Sequence, residues 1–315
     1  MYNFRTDLAL ERRDLYRKAH NMEEIDGIET EEESIGDNKD KQINISRVKV
    51  TNENGEKAIN KPIGNYITID IKNFKSITQE EIQKTSEIVT NELKKLIQNQ
   101  INDLDSILVV GLGNIYVTPD ALGPKVINEI DITRHLLHYM PEVLEAGTRE
   151  ISAISPGVLG TTGIETLEIL KGIVENIKPK LLIVIDALAS RSIERISSSI
   201  QLADTGIVPG AGVDNTRKEI SKSTLGIPVI AIGIPTVVDA ATIAADSLTL
   251  LIKQVQDNGE SNEFLNKLQE EDKYNLIKEV LSPEEYNFIV TPKEIDGLIE
   301  KMKDVIARGI NYAVN

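Results

Sequence analysis

The sequence SILVVGLGNIYVTPDALGP, residues 106–124, decides the fold class that we predict for this chain. Its apolar run, residues 107–110, is typical of a short buried strand. Gly111 and Gly113 follow at once, and glycines after such a strand let the backbone turn tightly beside a ligand. In open α/β sheets, ligands bind in the crevice beyond the carboxyl ends of the strands. Asp120, near the end of this stretch, is therefore a candidate for chemistry.

A second apolar run, residues 181–185, leads to another aspartate, Asp186, and both aspartates precede Ala-Leu. A single aspartate at a strand exit usually caps a helix or forms a turn. Two aspartates in the same setting favour a shared chemical role. Two carboxylates close together do not both ionise cheaply, so one keeps a proton as the acid while the other activates water. This chemistry suits peptide hydrolysis.

Strand and helix patterns alternate on both sides of these two stretches. We predict strands over residues 43–50, 65–71, 106–110, 151–155, 181–185 and 227–234, and helices over 76–97, 125–138, 164–177, 237–254 and 292–313. The alternation predicts an α/β fold with a mostly parallel sheet and helices on both faces.

Three segments depart from this alternation. The acid-rich residues 22–45 are typical of a solvated hairpin or loop. Residues 191–201 give no clear pattern. The polar and charged residues at about 255–285 are predicted to form an inserted helical excursion.

Composition restricts the possible functions. Aromatic residues make up only 4% of the 315 positions and Trp is absent, so the core must be aliphatic. A net charge of −15 argues against a nucleic-acid partner, which requires clustered Lys and Arg. The absence of Cys excludes disulfides, thiolate nucleophiles and Cys-ligated zinc. Without a signal-peptide core or a long apolar run, we expect an intracellular, soluble protein with no membrane partner.

Other catalytic motifs fit poorly. A dinucleotide fingerprint beginning at Gly111 would need a third glycine where Tyr116 stands, and no Walker A or Gly-x-Ser-x-Gly motif occurs. Two alternatives stay open. One is a metal-dependent peptidase that uses Asp120, Asp186 and either His135 or His138, which lie three residues apart on a predicted helix. The other is a non-catalytic module that binds a basic or extended peptide in an acidic groove.

Six blocks of the sequence carry a family resemblance. They are RTDLA (5–9), GLGN (111–114), TPDALGP (118–124), PGVLGTTGIET (156–166), IDALASR (185–191) and DTGIVPGAGV (204–213). In this order they resemble the germination proteases of endospore-forming bacteria, which degrade small acid-soluble spore proteins when a spore germinates. The resemblance extends from the N-terminus to at least Thr242.

The resemblance implies an atypical aspartic endopeptidase without a cofactor or metal. Asp120 and Asp186 match the two aspartates thought to be catalytic in the family. The implied fold resembles that of the hydrogenase-maturation proteases, in the phosphorylase/hydrolase-like class. The implied protein is a homotetrameric zymogen in the cytoplasm of the forespore and later in the spore core. We also predict that glycine-rich loops supply N–H groups to the oxyanion; their glycines are Gly157, Gly160, Gly163, Gly210 and Gly212.

The N-terminal block predicts self-cleavage. Substrates of the family are cut within a Thr-Glu-(Ile/Phe)-Ala-Ser-Glu type of site, after the first acidic residue. Residues 6–11, TDLALE, have the same character. We therefore predict cleavage between Asp7 and Leu8, which makes residues 1–7 a propeptide and residues 8–315 a single α/β protease domain.

Overall fold

The computed structural model describes residues 6–36, 42–213, 217–257, 273–274, 276–277 and 288–315. The strands in this part of the chain are β1 (Ile28–Ile35), β2 (Ile43–Val50), β3 (Gly64–Ile71), β4 (Ile107–Gly111), β5 (Ile151–Ile154), β6 (Leu181–Ser190), β7 (Ser199–Ala203), β8 (Val229–Asp239) and β9 (Ile289–Val290). The helices are α1 (Ala9–His20), α2 (Glu53–Ile59), α3 (Gln79–Gln98), α4 (Leu122–Ile127), α5 (Arg134–Tyr139), α6 (Leu159–Thr162), α7 (Thr166–Ile177), α8 (Lys222–Leu225), α9 (Ala240–Asp257) and α10 (Ile295–Val314).

One sheet runs in the order β1-β2-β3-β7-β8-β6-β4-β5, and β9 pairs with β8. Strands β5, β4, β6 and β8 pair in parallel. On the other side of β8, strands β7, β3, β2 and β1 are added in this order, each antiparallel to its neighbour. Successive residues of the central strands contribute to two separate apolar clusters, so both faces of the sheet are covered. The predicted α/β class with helices on both faces is confirmed.

The larger apolar layer consists of α3 and α10 packed on one face. Thr78 caps α3 as its sequence predicts, because its side chain accepts from the N–H of Glu81 while the Glu81 carboxylate accepts from the N–H of Thr78. Leu93 of α3 and Ile306 of α10 are fully buried in this layer. The smaller cluster lies on the opposite face, where Leu170 of α7 is fully buried.

The helix predicted over residues 125–138 is wrong, because the chain forms α4 and α5 with a linker between them. Thr133 explains the break. Its side-chain hydroxyl donates to the carbonyl oxygen of Arg149 and accepts from the N–H of Ile151 at 2.9 Å. This segment therefore hydrogen-bonds to the entrance of β5 instead of continuing its own helix.

The strand predicted over residues 181–185 is too short. β6 continues to Ser190, since the small and apolar residues after Asp186 keep pairing with β8, with an irregularity between Leu188 and Ala189. Asp186 therefore lies within a strand and not at its end. The undecided residues 191–201 include the start of β7, which is buried at every position.

The acid-rich segment contains an exposed strand, β1, which pairs antiparallel with β2. Glu31 and Glu33 of β1 lie 3.4 and 2.9 Å from Arg47 on β2, so this solvated strand also carries ion pairs. Most of the helical excursion predicted at about 255–285 lies outside the described residues. Within the described ranges, no helix has both the length and the apolar character that a bilayer span requires.

Candidate active site

Asp186 is positioned by the centre of the sheet. It lies on β6 opposite Gly233 of β8, and only 5% of it is exposed. Its Oδ1 accepts from the N–H of Ala187 at 3.0 Å. A carboxylate in this position is held by backbone that the apolar strands fix, with little freedom to rearrange.

Asp120 is held by the loop that follows β4. Its Oδ2 accepts from the N–H of Asn114 at 2.8 Å. Gly113 has a φ of +113°, and a Cβ at this position would lie 2.0 Å from the carbonyl oxygen of Asp120. A Cβ on Gly111 would likewise lie 2.2 Å from the carbonyl oxygen of Gly123. The glycines of this stretch therefore allow the loop to fold back on itself and bring Asp120 beside the strand end.

Asp120 and Asp186 line one cavity of about 310 Å³. Burial raises the pKa of Asp186 well above its usual value, and the negative charges of Asp120 and Asp7 raise it further. Burial also raises the pKa of Asp120, but the Asn114 N–H opposes this effect. The environment of Asp186 raises its pKa more strongly than that of Asp120, which favours a proton on Asp186 and a negative charge on Asp120.

A third carboxylate, that of Asp7, lines the same cavity. The N–H of Asp7 donates to the carbonyl oxygen of Ala189 at 3.0 Å, and the N–H of Ala189 donates to Asp7 Oδ2 at 2.9 Å. The N–H of Gly212 also donates to this carboxylate. Residue 7 therefore pairs with the end of β6, three residues beyond Asp186.

The residues after Asp7 continue along the same groove. Leu8 and Ala9 are fully buried, although they precede or begin an otherwise polar helix, α1. The carboxylate of Glu11 accepts from the N–H of Arg191 at 2.8 Å and from the N–H of Ser192 at 3.0 Å. The segment predicted to be cut is thus docked along the chain that leaves β6.

The glycines that were predicted to bind the oxyanion have different positions. Gly157 and Gly210 line the cavity. Gly212 instead directs its N–H at the Asp7 side chain. Gly160 and Gly163 are exposed and are not among the described residues that line the cavity.

The histidines of the metal alternative lie on α5, and His138 is 3.7 Å from Glu150. Neither His135 nor His138 is among the described residues that line the cavity. Over the described ranges, no group of three or more His, Asp or Glu side chains is arranged to hold a metal ion.

Sequence reasoning missed several residues around Asp7. Arg12, Lys61 and Gln201 line a second cavity that also borders Asp7. Burial lowers the pKa of Lys61 to about 8, while the charge of Asp7 acts in the opposite direction. No motif marks these residues, because Lys61 follows α2 and Gln201 lies in the segment without a clear pattern.

A family comparison identifies the kind of protein to which this site belongs. The profile described as germination protease matches residues 9–267 and 256–315. The chain belongs to the germination protease family. Family members are peptidases, so this chain is a hydrolase of peptide bonds and acts on protein substrates.

Relatives match this chain over nearly their whole length. The germination protease of Clostridium perfringens (strain SM101) is 47% identical over 318 residues, which cover 100% of this chain and 96% of the relative. That of Caldanaerobacter subterraneus is 48% identical, with 98% and 94% covered. That of Priestia megaterium is 42% identical, with 100% and 94% covered.

Among solved structures, a NiFe hydrogenase maturation protease, HycI, from Thermococcus kodakarensis is similar to part of this chain. It is 18% identical with a TM-score of 0.29, and the match covers 46% of this chain and 80% of the other.

Proposed function

We propose that this member of the germination protease family is an endopeptidase of atypical aspartic type that begins the degradation of small acid-soluble spore proteins. It is made as a zymogen and cuts itself between Asp7 and Leu8. One observation carries the proposal: Asp7 is docked on β6 in the cavity that Asp120 and Asp186 line. The residue before the bond predicted to be cut thus lines the same cavity as the two candidate catalytic carboxylates.

The difference between the two aspartates supports an assignment of roles. Asp120, the charged member, removes a proton from a water molecule, whose oxygen attacks the carbonyl carbon of residue 7. Asp186, the protonated member, gives its proton to the nitrogen of Leu8 as the carbon–nitrogen bond breaks. The products are a new carboxyl group on Asp7 and a free amino group on Leu8. Asp120 then holds the proton taken from water, and proton exchange with solvent restores both residues.

The remaining parts of the proposal rest on the family resemblance. Residues 1–7 are the propeptide and residues 8–315 form one protease domain. The enzyme assembles as a homotetramer and works in the forespore and spore core. Gly157 and Gly210 remain candidates for backbone contacts to substrate, because both line the cavity.

Intact-mass spectrometry of the purified chain at mildly acidic pH tests the proposal. We expect the wild type to lose residues 1–7, while Asp120→Asn and Asp186→Asn stay intact. Asp296→Asn, at an exposed position on α10, is the matched control and should be processed normally. Full processing of Asp186→Asn would rule out the aspartic mechanism.

Two additions separate the alternatives. A chelator added to the wild-type reaction tests the alternative of a metal-dependent peptidase, because that alternative predicts that processing stops. A chain that begins at Leu8, incubated with a peptide containing Thr-Glu-Phe-Ala-Ser-Glu, tests cleavage of a separate substrate. Binding of this peptide without any product would favour the non-catalytic module.

A further inference from the structure

Gln201 lies in line with Asp186 across the sheet. On β7 it pairs with Gly233 of β8, and Gly233 in turn pairs with Asp186 of β6. Residues paired across neighbouring strands carry their side chains on the same face. Two strand spacings of about 4.8 Å therefore separate Asp186 and Gln201, with both side chains on the face where residues 6–11 dock.

Gly233, the residue between Asp186 and Gln201, must be small. Gly233 has no side chain, and a Cβ there would lie 2.2 Å from Leu188 Cδ1. Leu188 and Asp7 border both the cavity with the two aspartates and the one with Gln201. Leu188 therefore fills the space above Gly233, and Asp7 lies where the cavity with Asp186 meets the cavity with Gln201.

Gln201 contacts the backbone on both sides of the Asp7–Leu8 bond. Its Oε1 accepts from the N–H of Ala9 at 2.7 Å, and its Nε2 donates to the carbonyl oxygen of Asp7 at 3.4 Å. The first contact fixes the orientation of the amide, because only the oxygen can accept from an N–H. The amide N–H₂ must then face the Asp7 carbonyl. Gln201 is 7% exposed, so little water competes for it.

We propose that Gln201 is a catalytic residue that stabilises the oxyanion formed at the carbonyl of the residue before the cut. This inference rests on the proposed cleavage between Asp7 and Leu8. When water attacks the carbonyl carbon, the C=O π electrons move to the oxygen, and the Nε2 hydrogen bond strengthens with the charge. The 3.4 Å contact is long for a hydrogen bond in the resting state, and catalytic contacts of this kind shorten in the transition state.

The same side chain also positions the segment. Its bond to the Ala9 N–H holds the chain beyond the cut, so that the carbonyl of Asp7 stays beside the Gln201 amide. Both contacts are to backbone atoms, so a substrate of any sequence presents the same carbonyl and N–H to Gln201. Gln201 therefore acts on any bound sequence, whereas the amides of Ala189 and Gly212 act on the acidic side chain.

Self-processing of the full chain tests the proposal, followed as loss of residues 1–7 by intact mass over time. Gln201→Met keeps the length of the side chain and removes both hydrogen bonds. We expect its rate constant to fall about 100-fold, as when an oxyanion donor is removed. Gln98→Met, at an exposed position on α3, is the matched control and should match the wild type.

Gln201→Glu separates oxyanion stabilisation from positioning. The introduced carboxyl still accepts from the Ala9 N–H, but when ionised it places negative charge against the Asp7 carbonyl. When protonated it has an O–H to donate. We expect the ratio of variant to wild-type rate to be low at neutral pH and to rise as the pH falls. A purely structural role predicts a ratio that does not change with pH.

The outcomes are distinguishable. A folded Gln201→Met chain that is processed at the wild-type rate overturns the role of Gln201 and leaves the proposed function intact. If Gln201→Met does not fold, a pH-independent ratio for Gln201→Glu overturns the inference instead. A folded wild type that cuts neither itself nor the added peptide removes the proposed function, and the inference with it.

Discussion

Gly212→Ala should slow self-processing by adding a single methyl group. A Cβ at position 212 would lie 2.2 Å from Asp7 Oδ2 and 2.8 Å from the Cβ of Ala189. The carboxylate of Asp7 must then withdraw from the N–H groups of Gly212 and Ala189 that bind it. A hydrogen bond to a charged group contributes about 1.5–3 kcal/mol. Loss of one such bond corresponds to about a 10- to 100-fold lower population of the docked segment.

The assay is the rate of loss of residues 1–7 by intact mass, together with the urea midpoint of the chain. Gly172→Ala is the matched control, since nothing lies within 4 Å of a Cβ there and alanine favours the helix α7. Processing of Gly172→Ala should equal that of the wild type, whereas Gly212→Ala should be slower by at least tenfold.

A double-mutant cycle identifies the cause. With Asp7→Ala in the same chain, the methyl group added by Gly212→Ala no longer contacts a carboxylate. The decrease in the urea midpoint caused by Gly212→Ala should then be smaller than in the wild-type background. Wild-type processing of a folded Gly212→Ala chain would refute the view that this N–H group recognises the acidic side chain.

Two stability predictions have opposite pH dependence. Asp186 has a raised pKa in the folded state, so its contribution to stability is present below the unfolded pKa of about 3.9 and is lost as the pH rises. Asp186→Asn should therefore unfold at a higher urea concentration than the wild type at pH 7, with the difference vanishing near pH 4; an equal difference at both pH values would contradict this. For Glu92, burial alone raises the pKa, but hydrogen bonds and charges from Arg47 and Lys95 outweigh it and lower the pKa. Glu92→Gln should cost about 1.5–3 kcal/mol at pH 7, because it removes the charged 2.7 Å partner of Arg47, and the cost should fall as the pH drops through the Glu92 pKa; a pH-independent cost in urea titrations would refute the ion-pair explanation.

Local patterns predicted most of the central fold. The capped start of α3 follows from Thr78 and Glu81, and β4 and β5 follow from short apolar runs. The errors have a common origin in long-range hydrogen bonds. Thr133 ends a helical pattern because β5 offers it two backbone partners. β6 runs past Asp186 because β8 continues beside it for the same length.

The candidate site was predicted only in part for the same reason. Asp120 follows β4 and Asp186 lies within the neighbouring β6, so the pairing of these two strands brings the aspartates together. Gln201 enters from an antiparallel strand whose sequence, SIQLA, carries no catalytic motif. Its position depends on the register with Gly233, which is a tertiary property. The glycines around Asp120 were predicted as an open turn for a ligand, whereas close packing of the loop requires them.

The docked segment also bears on how the proposed seven-residue propeptide would keep the enzyme inactive. Cutting the Asp7–Leu8 bond releases the side that Ala189 and Gly212 hold, together with the hydrogen bonds that join Thr6 to Leu8, Glu11 and Arg12. Other contacts of the residues that follow remain. Ala9 still binds Gln201, and Glu11 still accepts from two backbone N–H groups beyond β6. A substrate needs the same groove on both sides of its own cut. Cleavage is therefore only the first step of activation in the proposed scheme, and the start of α1 must leave the groove before a second chain enters.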